Sequence, residues 1–313
     1  MKLFKKTIKP NGRQNIYFLG IKFFSYKNES NSLKNRHYIE SCLKKDDYHI
    51  LNIYEKDTTN IGDLSCAPHL YFSELQKNAI SIGIKSFSFI PNIKGKTIVV
   101  GGGGLFLPYF ETEIKNILQL TQNNKVIFWG CGFDNYIGGE VSKIDLTHAT
   151  LVGIRDFNQS SYHYVPCASC LSPLFDTYKN SKVLHKYAFY LHNDYSKNIM
   201  DVASGMPIAF NKDMQNLDEA LKFLSSAECI FTNSFHGLYW ATLLGKKVAV
   251  LPWCHDGKIG FSNKFQSVKY TPVYIEDIVH FEKYLDSMKS YPNALQECRD
   301  INRTFYEEVK KYL

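Results

Sequence analysis

Long apolar runs are missing from this sequence of 313 residues. No window approaches the roughly 18 to 20 uninterrupted apolar residues that a membrane-spanning helix needs. The N-terminus also lacks the continuous apolar core that is typical of a signal peptide. We therefore expect a cytoplasmic protein.

A disulfide or zinc framework is missing as well. The eight cysteines are irregularly spaced, as in proteins with reduced thiols. The one CxxC pair, Cys167 and Cys170, has no second pair of cysteines or histidines at zinc-site spacing. Pro166 and Pro173 on either side indicate a loop, whereas a thioredoxin-like motif opens a helix. We interpret both cysteines as ordinary buried or loop residues and predict no metal site.

No complete nucleotide-binding motif is present. In VVGGGGLF, residues Gly101, Gly102, Gly103 and Gly104 follow an apolar run, but Phe106 stands where a GxGxxG motif needs its third glycine. No Walker A lysine follows either, so we predict no cofactor. We expect the four glycines to lie at a helix start, where their backbone N–H groups cradle an anion or an acceptor.

Positive charge is concentrated at the N-terminus. Residues 1–50 carry 11 basic and 4 acidic residues, which accounts for the whole net charge of +7. The balanced remainder argues against a uniformly basic nucleic-acid binder. Lysines alternate with phenylalanines and isoleucines in this segment, which suits peripheral contact with an anionic membrane and equally suits a solvated β-hairpin.

Apolar periodicity predicts strands that alternate with helices. Such a pattern forms parallel sheets with right-handed crossovers, so we predict an α/β fold with two doubly wound lobes. The lobes are placed at residues 48–180 and 181–272, after the basic segment 1–47. Amphipathic helices within 273–313, one of them over 276–288, are expected to pack back on the lobes.

Polar residues follow two predicted strands of the first lobe. In NIGD, Asn60 and Gly62 lead to Asp63, which either caps a helix or acts as a base on a sugar hydroxyl. In GIRD, Arg155 ends a strand. Its guanidinium either grips a carboxylate or phosphate, or pairs with Asp156 in a structural role.

A single histidine follows a strand of the second lobe in TNSFHGLYW. Asn233 and Ser234 are good helix caps, so we expect His236 and Gly237 in the first helical turn, where free backbone N–H groups favour an anion. We expect an unpaired imidazole that faces the cleft between the lobes, with its protonation tied to anion binding.

NIGD, VVGGGG, GIRD and TNSFHGLYWATLLGKKVAVLP, in this order, resemble the polysaccharide pyruvyl transferase family of bacterial envelope biosynthesis, over roughly residues 48–255. The resemblance implies two Rossmann-like lobes in a GT-B-like arrangement and phosphoenolpyruvate as donor substrate. The acceptor would be a sugar of a capsule, lipopolysaccharide or wall polymer, or of its lipid-linked precursor. The resemblance also implies that His236 is the active-site histidine and that Arg155 binds the donor.

One position departs from the family pattern. Many members have an arginine two residues before the histidine, where this chain has Ser234. We expect Lys258 or Lys264 to supply the missing positive charge, unless the donor differs.

The expected mechanism uses two catalytic residues. His236, as an imidazolium, protonates the methylene carbon of phosphoenolpyruvate, and Asp63 or a neighbouring carboxylate deprotonates the attacking sugar hydroxyl. The predicted donor-binding residues are Arg155, Asn233, Ser234, Gly237, Lys258 and Lys264. The predicted acceptor-binding or backbone-cradle residues are Asn60, Gly62, Gly101, Gly102, Gly103 and Gly104.

Two other functions fit the same pattern. A GT-B-type glycosyltransferase would bind the diphosphate of a nucleotide sugar at the glycines and His236, and would not need the missing arginine. An inactive binding or scaffold protein of an envelope-assembly complex would use the lobes without catalysis.

Overall fold

The computed structural model describes residues 40–44, 47–57, 59–133, 143–192, 197–255 and 258–313, and the backbone of three strands before residue 28. The chain divides into two compact units. One consists of Met1–Asp47 with Pro91–Ile93, and the other of Tyr48–Ile90 with Lys94–Leu313.

The first unit contains a three-stranded antiparallel sheet in the order β1-β2-β3. Its strands are β1 Phe4–Ile8, β2 Arg13–Phe18 and β3 Ile21–Lys27. The basic segment therefore has one strand more than the hairpin that its sequence predicts. Its contact with an anionic membrane stays a prediction. No helix in the described ranges is long and apolar enough to cross a bilayer.

The second unit begins with a six-stranded parallel sheet in the order β5-β4-β6-β7-β8-β9. Its strands are β4 Ile50–Tyr54, β5 Ala79–Gly83, β6 Thr97–Phe106, β7 Lys125–Phe133, β8 Leu151–Ile154 and β9 His163–Tyr164. β4 is buried at every residue, as expected for a strand of a parallel sheet that is covered on both faces.

A second parallel sheet follows, in the order β11-β10-β12-β13-β16. Its strands are β10 His185–Leu191, β11 Ile208–Phe210, β12 Ala227–Thr232, β13 Lys247–Val250 and β16 Val273–Tyr274. A short antiparallel pair, β14 Trp253–His255 and β15 Lys258–Gly260, projects after β13. The expected α/β fold with two parallel-sheet lobes is confirmed.

Seven α-helices accompany the two parallel sheets in the described part of the second unit. They are α1 Ile61–Ser65, α2 Glu111–Gln119, α3 Leu174–Tyr178, α4 Lys197–Val202, α5 Leu217–Ser225, α6 Phe235–Leu243 and α7 Ala294–Lys310. Local sequence sets the ends of α5 and α6. The Asn216 side chain accepts a hydrogen bond from the Glu219 N–H at the start of α5. After α6, Gly245 adopts a positive φ of 72°, which favours glycine.

Two local predictions are wrong. The glycines of VVGGGG do not open a helix, because β6 continues through them to Phe106 and α2 begins only at Glu111. The helix expected over 276–288 is a 3-10 helix at Phe281–Ser287. There the Asp277 carboxylate accepts hydrogen bonds from the His280 N–H and from Lys283, and this local capping delays the helix start.

Helix α7 packs back across both lobes, as its amphipathic pattern predicts. Its first half contributes Leu295 and Cys298 to a core that includes Ile230 of β12. Its second half places Phe305 in a core with Trp129 of β7. One helix thus joins the hydrophobic cores of the two sheets.

Candidate functional site

The candidate site lies where segments after the strands of the two sheets meet. Asp63 is on α1, after β4, and Arg155 directly follows β8. His236 is on α6, after β12 of the second sheet. Parallel strands bring their carboxyl ends to one edge of a sheet, where α/β proteins bind ligands.

His236 occupies the first turn of α6, as predicted. The Ser234 hydroxyl caps the helix by accepting a hydrogen bond from the Gly237 N–H at 3.2 Å. The imidazole lies against the first lobe, since a Cβ atom on Gly62 would stand 2.1 Å from Nδ1 of His236. Its Nε2 lies 3.6 Å from Sγ of Cys167. His236 is 5% exposed, and its ring has Cys167 as a partner. The prediction of an unpaired imidazole is therefore wrong.

The charge state expected for His236 also needs correction. Burial lowers the pKa of His236 well below its ordinary value, and the positive charges of Arg155 and Lys264 lower that pKa further. The protein's own groups therefore favour the neutral imidazole over the imidazolium.

The pKa of Asp63 is shifted in the opposite direction to that of His236. Burial raises its pKa to about 7, and the negative charges of Glu55 and Asp57 contribute in the same direction, against Arg155 and Lys85. The carboxylate accepts a hydrogen bond from Nδ2 of Asn60 at 2.7 Å. A carboxyl group with a pKa near neutrality can donate and accept a proton under physiological conditions.

Asn60 connects Asp63 to the second lobe. Its Oδ1 accepts the Gly62 N–H at 3.1 Å, which caps α1, and also accepts Nδ2 of Asn211 at 2.5 Å. Oδ1 of Asn211 in turn accepts the hydroxyl of Tyr190 at 2.9 Å. The capping predicted for NIGD is therefore performed by Asn60, and Asp63 keeps one oxygen for other partners.

Arg155 presents a buried guanidinium that forms no ion pair with an acidic side chain among the described residues. The group lies 3.6 Å from the centre of the Phe235 ring, and the residue is 6% exposed. Its Nε is buried and has no hydrogen-bond partner in the described part of the chain. The guanidinium passes next to Gly132, and its Nη2 lies near Gly104. Such a group is suited to bind a carboxylate or a phosphate.

Asp156 does not form the structural pair with Arg155 that was one sequence-based interpretation. Its carboxylate accepts the Phe133 N–H at 2.8 Å and the Ser267 hydroxyl at 2.5 Å. Asp156 therefore links β7 to the segment after β15 and does not pair with the guanidinium of Arg155.

The four glycines have packing functions that the sequence does not reveal. A Cβ on Gly101 would meet the Trp129 carbonyl oxygen at 2.0 Å, and one on Gly102 the Cys66 carbonyl oxygen at 2.8 Å. Gly103, with φ of 88°, lies against Asp63. The run lets α1, β7 and Arg155 approach β6 closely. A role in binding the acceptor stays a prediction.

The remaining predicted residues differ in their surroundings. Oδ1 of Asn233 accepts the His192 N–H at 2.7 Å, which joins the ends of β10 and β12. Gly237 packs on Thr232, where a Cβ would stand 2.4 Å from the hydroxyl oxygen. Lys264 is buried with its ammonium 3.6 Å from the Trp253 ring centre, and its charge acts on His236. The side chain of Lys258 lies outside the described residues.

Sequence reasoning missed several side chains that surround the site. Cys167 was interpreted as ordinary, yet it contacts His236. Glu55 ends the β4 run and forms an ion pair with Lys85 at 2.5 Å, and Asn211 directly follows β11. The rule that identified Asp63, a polar residue after an apolar strand, could have found Glu55 and Asn211.

No metal site coincides with the candidate residues in the described part of the chain, and a large cavity lies apart from them. Across the described ranges, no group of three or more histidine, cysteine or acidic side chains could hold a metal ion. All seven described cysteines are free thiols. A cavity of about 950 Å³ lies elsewhere, between the β8–β9 edge and α7, and none of the candidate residues lines it.

Comparisons with known proteins give the family. A protein of uncharacterised function from Klebsiella pneumoniae subsp. pneumoniae is 18% identical, covering 72% of this chain and 89% of its own, with a TM-score of 0.39. The wall teichoic acid polymerase TagF with CDPG is 9% identical over 89% of this chain and 88% of its own, with a TM-score of 0.39. A search of curated proteins finds no sequence match. The family model described as polysaccharide pyruvyl transferase matches residues 14–255, so this chain belongs to the polysaccharide pyruvyl transferase family.

Proposed function

We propose that this protein transfers the pyruvyl group of phosphoenolpyruvate to a sugar of a bacterial surface polysaccharide or of its lipid-linked precursor. Family membership supports a transferase that modifies a polysaccharide. The observation that carries the proposal is the buried guanidinium of Arg155. It has no acidic partner among the described residues, and its charge acts on both Asp63 and His236.

The donor is held by positive charge. Arg155 makes paired hydrogen bonds to the carboxylate or the phosphate, a geometry that lysine does not offer. The ammonium of Lys264 adds a second positive charge near His236 and compensates for Ser234 in place of the family arginine. Both cations also lower the pKa of His236, so a bound anion would offset part of that effect.

Asp63 is the acid and then the base of the first step. As the protonated acid, it gives its proton to C3 of phosphoenolpyruvate, and one sugar hydroxyl oxygen bonds to C2. The proton of that hydroxyl returns to the Asp63 carboxylate. This assignment replaces the imidazolium of His236 as proton donor, because the pKa of Asp63 is about 7 whereas that of His236 is lowered.

The second step closes the ketal. The oxygen of a second sugar hydroxyl bonds to C2, and the C2–O bond to phosphate breaks. Inorganic phosphate leaves with the proton of that hydroxyl. The products are the pyruvate ketal of the sugar and phosphate, and no oxidant or reductant takes part. The neutral imidazole of His236 acts as a hydrogen-bond donor to an oxygen of the donor substrate.

A thermal-shift measurement tests the donor. Millimolar phosphoenolpyruvate that binds with a micromolar Kd stabilises the folded protein by about 4 kcal/mol, so the Tm rises. In Arg155→Gln we expect binding of phosphoenolpyruvate about 10- to 100-fold weaker, because a charge-assisted hydrogen-bond pair is lost. Arg303→Gln, at an exposed position on α7, is the matched control and keeps the full shift.

Other results of the thermal-shift measurement would support one of the two alternative functions. Stabilisation by a UDP-, GDP- or CDP-sugar, without a response to phosphoenolpyruvate, identifies a glycosyltransferase and refutes the proposal. No response to any of these compounds identifies a binding or scaffold protein and refutes it too.

A further inference from the structure

Three buried side chains form a series of hydrogen-bonding contacts that ends at Nε2 of His236. Nε1 of Trp240 donates to Oγ of Ser169 at 3.0 Å. Oγ of Ser169 lies 3.1 Å from Sγ of Cys167, and this Sγ lies 3.6 Å from Nε2 of His236. Trp240, Ser169 and Cys167 are at most 1% exposed, so water does not compete for these contacts.

The direction of these hydrogen bonds follows from the donors that are available. The indole N–H of Trp240 can only donate, so Oγ of Ser169 accepts it. The hydroxyl hydrogen of Ser169 then has one acceptor in the described part of the chain, Sγ of Cys167. A buried hydroxyl that makes no hydrogen bond is destabilising, so Ser169 donates to Cys167. The S–H of Cys167 is left to donate to Nε2 of His236.

Cys167 keeps its hydrogen under ordinary conditions. Burial raises the pKa of the Cys167 thiol, and hydrogen bonds from Ser169 oppose that effect without overcoming it. A thiol at this position can therefore donate, whereas a thiolate could only accept.

The hydrogen on the neutral imidazole of His236 must then be on Nδ1, because Nε2 is an acceptor. Nδ1 lies on the edge of the ring that faces Gly62 of α1, where a Cβ atom would stand 2.1 Å from it, whereas the hydrogen bond to Cys167 is made by Nε2. The ring thus presents an N–H group toward the lobe that carries Asp63 and Arg155.

We propose that Ser169 and Cys167 are positioning residues that hold His236 as the Nδ1–H tautomer, so that Nδ1 donates a hydrogen bond to an anionic oxygen of the donor substrate. The second half of this proposal rests on the proposed function. The first half, the tautomer of the resting protein, does not depend on any substrate.

Nitrogen NMR on ¹⁵N-histidine-labelled full-length protein tests the tautomer directly, since protonated and unprotonated ring nitrogens have different chemical shifts. In the wild type we expect the His236 signals, assigned by their loss in His236→Gln, to show Nδ1 protonated. Cys167→Ala and Ser169→Ala should shift the population toward the Nε2–H tautomer. Cys167→Ser, which keeps a donor, should restore the wild-type pattern at least in part.

Cys170→Ala is the matched control. Cys170 is equally buried in the same CxxC pair, but its Sγ accepts from Asn302 on α7 and does not contact His236. The tautomer should therefore be unchanged in this variant. With phosphoenolpyruvate as substrate, Cys167→Ala should lower kcat/KM by about 3- to 10-fold, the effect of one lost hydrogen bond.

An Nε2–H tautomer in the wild type overturns the proposal without any variant. So does an Nδ1–H tautomer that persists in both alanine variants. If the tautomer follows the pattern described but phosphoenolpyruvate does not bind, the proposed function fails and the positioning of His236 stands.

Discussion

At the scale of single residues, the site separates the pKa values of two titratable groups. Burial disfavours the charged form of each group, so it raises the pKa of Asp63 and lowers that of His236. Neighbouring charges add to burial at His236, where Arg155 and Lys264 lower the pKa further. At Asp63 they divide, because Glu55 and Asp57 raise the pKa while Arg155 and Lys85 lower it. Both groups are consequently neutral over part of the physiological range.

The raised pKa of Asp63 has a consequence for stability. A carboxyl group whose pKa is about 7 when folded and about 4 when unfolded destabilises the folded state as pH rises between these values. Asp63→Asn should therefore be more stable than the wild type above pH 7, and the difference should vanish below about pH 4. The difference grows by at most about 1.4 kcal/mol per pH unit in this window.

Chemical denaturation of the wild type and Asp63→Asn at several pH values measures this difference in stability. In a separate kinetic assay, the turnover of Asp63→Asn should fall by about 100-fold or more. Glu228→Asn is the control, because Glu228 is an exposed carboxylate on β12 of the second lobe, whereas Asp63 is on α1 of the first. A stability difference for Asp63→Asn that does not depend on pH would contradict the raised pKa.

At the scale of secondary structure, α6 presents the site. The helix is buried on every side, from His236 to Leu243, and Ser234 caps its first turn. The five-residue helix α1 packs against α6 at Gly62. Because glycine has no side chain, the imidazole of His236 lies directly against its backbone. The position of the imidazole therefore depends on a missing Cβ in the opposite lobe.

Gly62→Ala tests this contact. Alanine favours a helix more than glycine, so local propensity alone predicts a small gain in stability. The added Cβ would stand 2.1 Å from Nδ1 of His236, so the imidazole must move. We expect a loss of about 1 to 3 kcal/mol in the free energy of unfolding and a lower kcat.

Gly83→Ala is the control for this substitution. Its Cβ would meet the Cβ of Lys56 at 3.3 Å, far from His236, and its φ is not positive. We expect a smaller change in stability and an unchanged kcat. Equal behaviour of the two variants in denaturation and kinetic assays would disprove the proposed contact.

The positions of the strands were predicted better than the structural roles of individual residues. The strands from Lys125, Leu151 and Lys247 follow from apolar runs, because burial in a parallel sheet leaves a local pattern. The glycine run was assigned to a helix start because it directly follows an apolar strand and would let the backbone approach a ligand. The physical reason for it, close approach of α1 and β7 to β6, is a tertiary contact with no local pattern.

At the scale of the whole second unit, α7 holds the two lobes together. Arg299 donates to the carbonyl oxygens of Cys170 and Ser172 and forms an ion pair with Asp176 at 2.7 Å. Leu295 packs in the core of the second sheet, and Phe305 in that of the first. The relative placement of Arg155 after β8 and His236 on α6 therefore depends in part on this helix.

Phe305→Ala should weaken both lobes together. The large-to-small change in the core costs about 3 to 5 kcal/mol. Because one helix completes both cores, we expect the fluorescence of Trp129 in the first lobe and of Trp240 in the second to report the same lowered transition.

Single-tryptophan variants monitored during urea unfolding measure the two lobes separately. Thr304→Ala, at the exposed neighbouring position, is the control and should leave both midpoints unchanged. A lowered midpoint for Trp129 alone would show that α7 does not couple the lobes.

The sequence by itself determined the alternation of strands and helices, the cap at Ser234, and the segments after strands that carry Asp63, Arg155 and His236. Burial period and capping act over a few residues, so they leave a readable local pattern.

Only the tertiary structure decided which of these strand ends meet and what charge each group carries. Cys167 and His236 are 69 positions apart, and Asn60 and Asn211 are 151 positions apart, so no local pattern predicts either contact. The protonation of Asp63 and His236 depends on how far water and neighbouring charges are kept from them. That distance exists only after the two lobes have packed together.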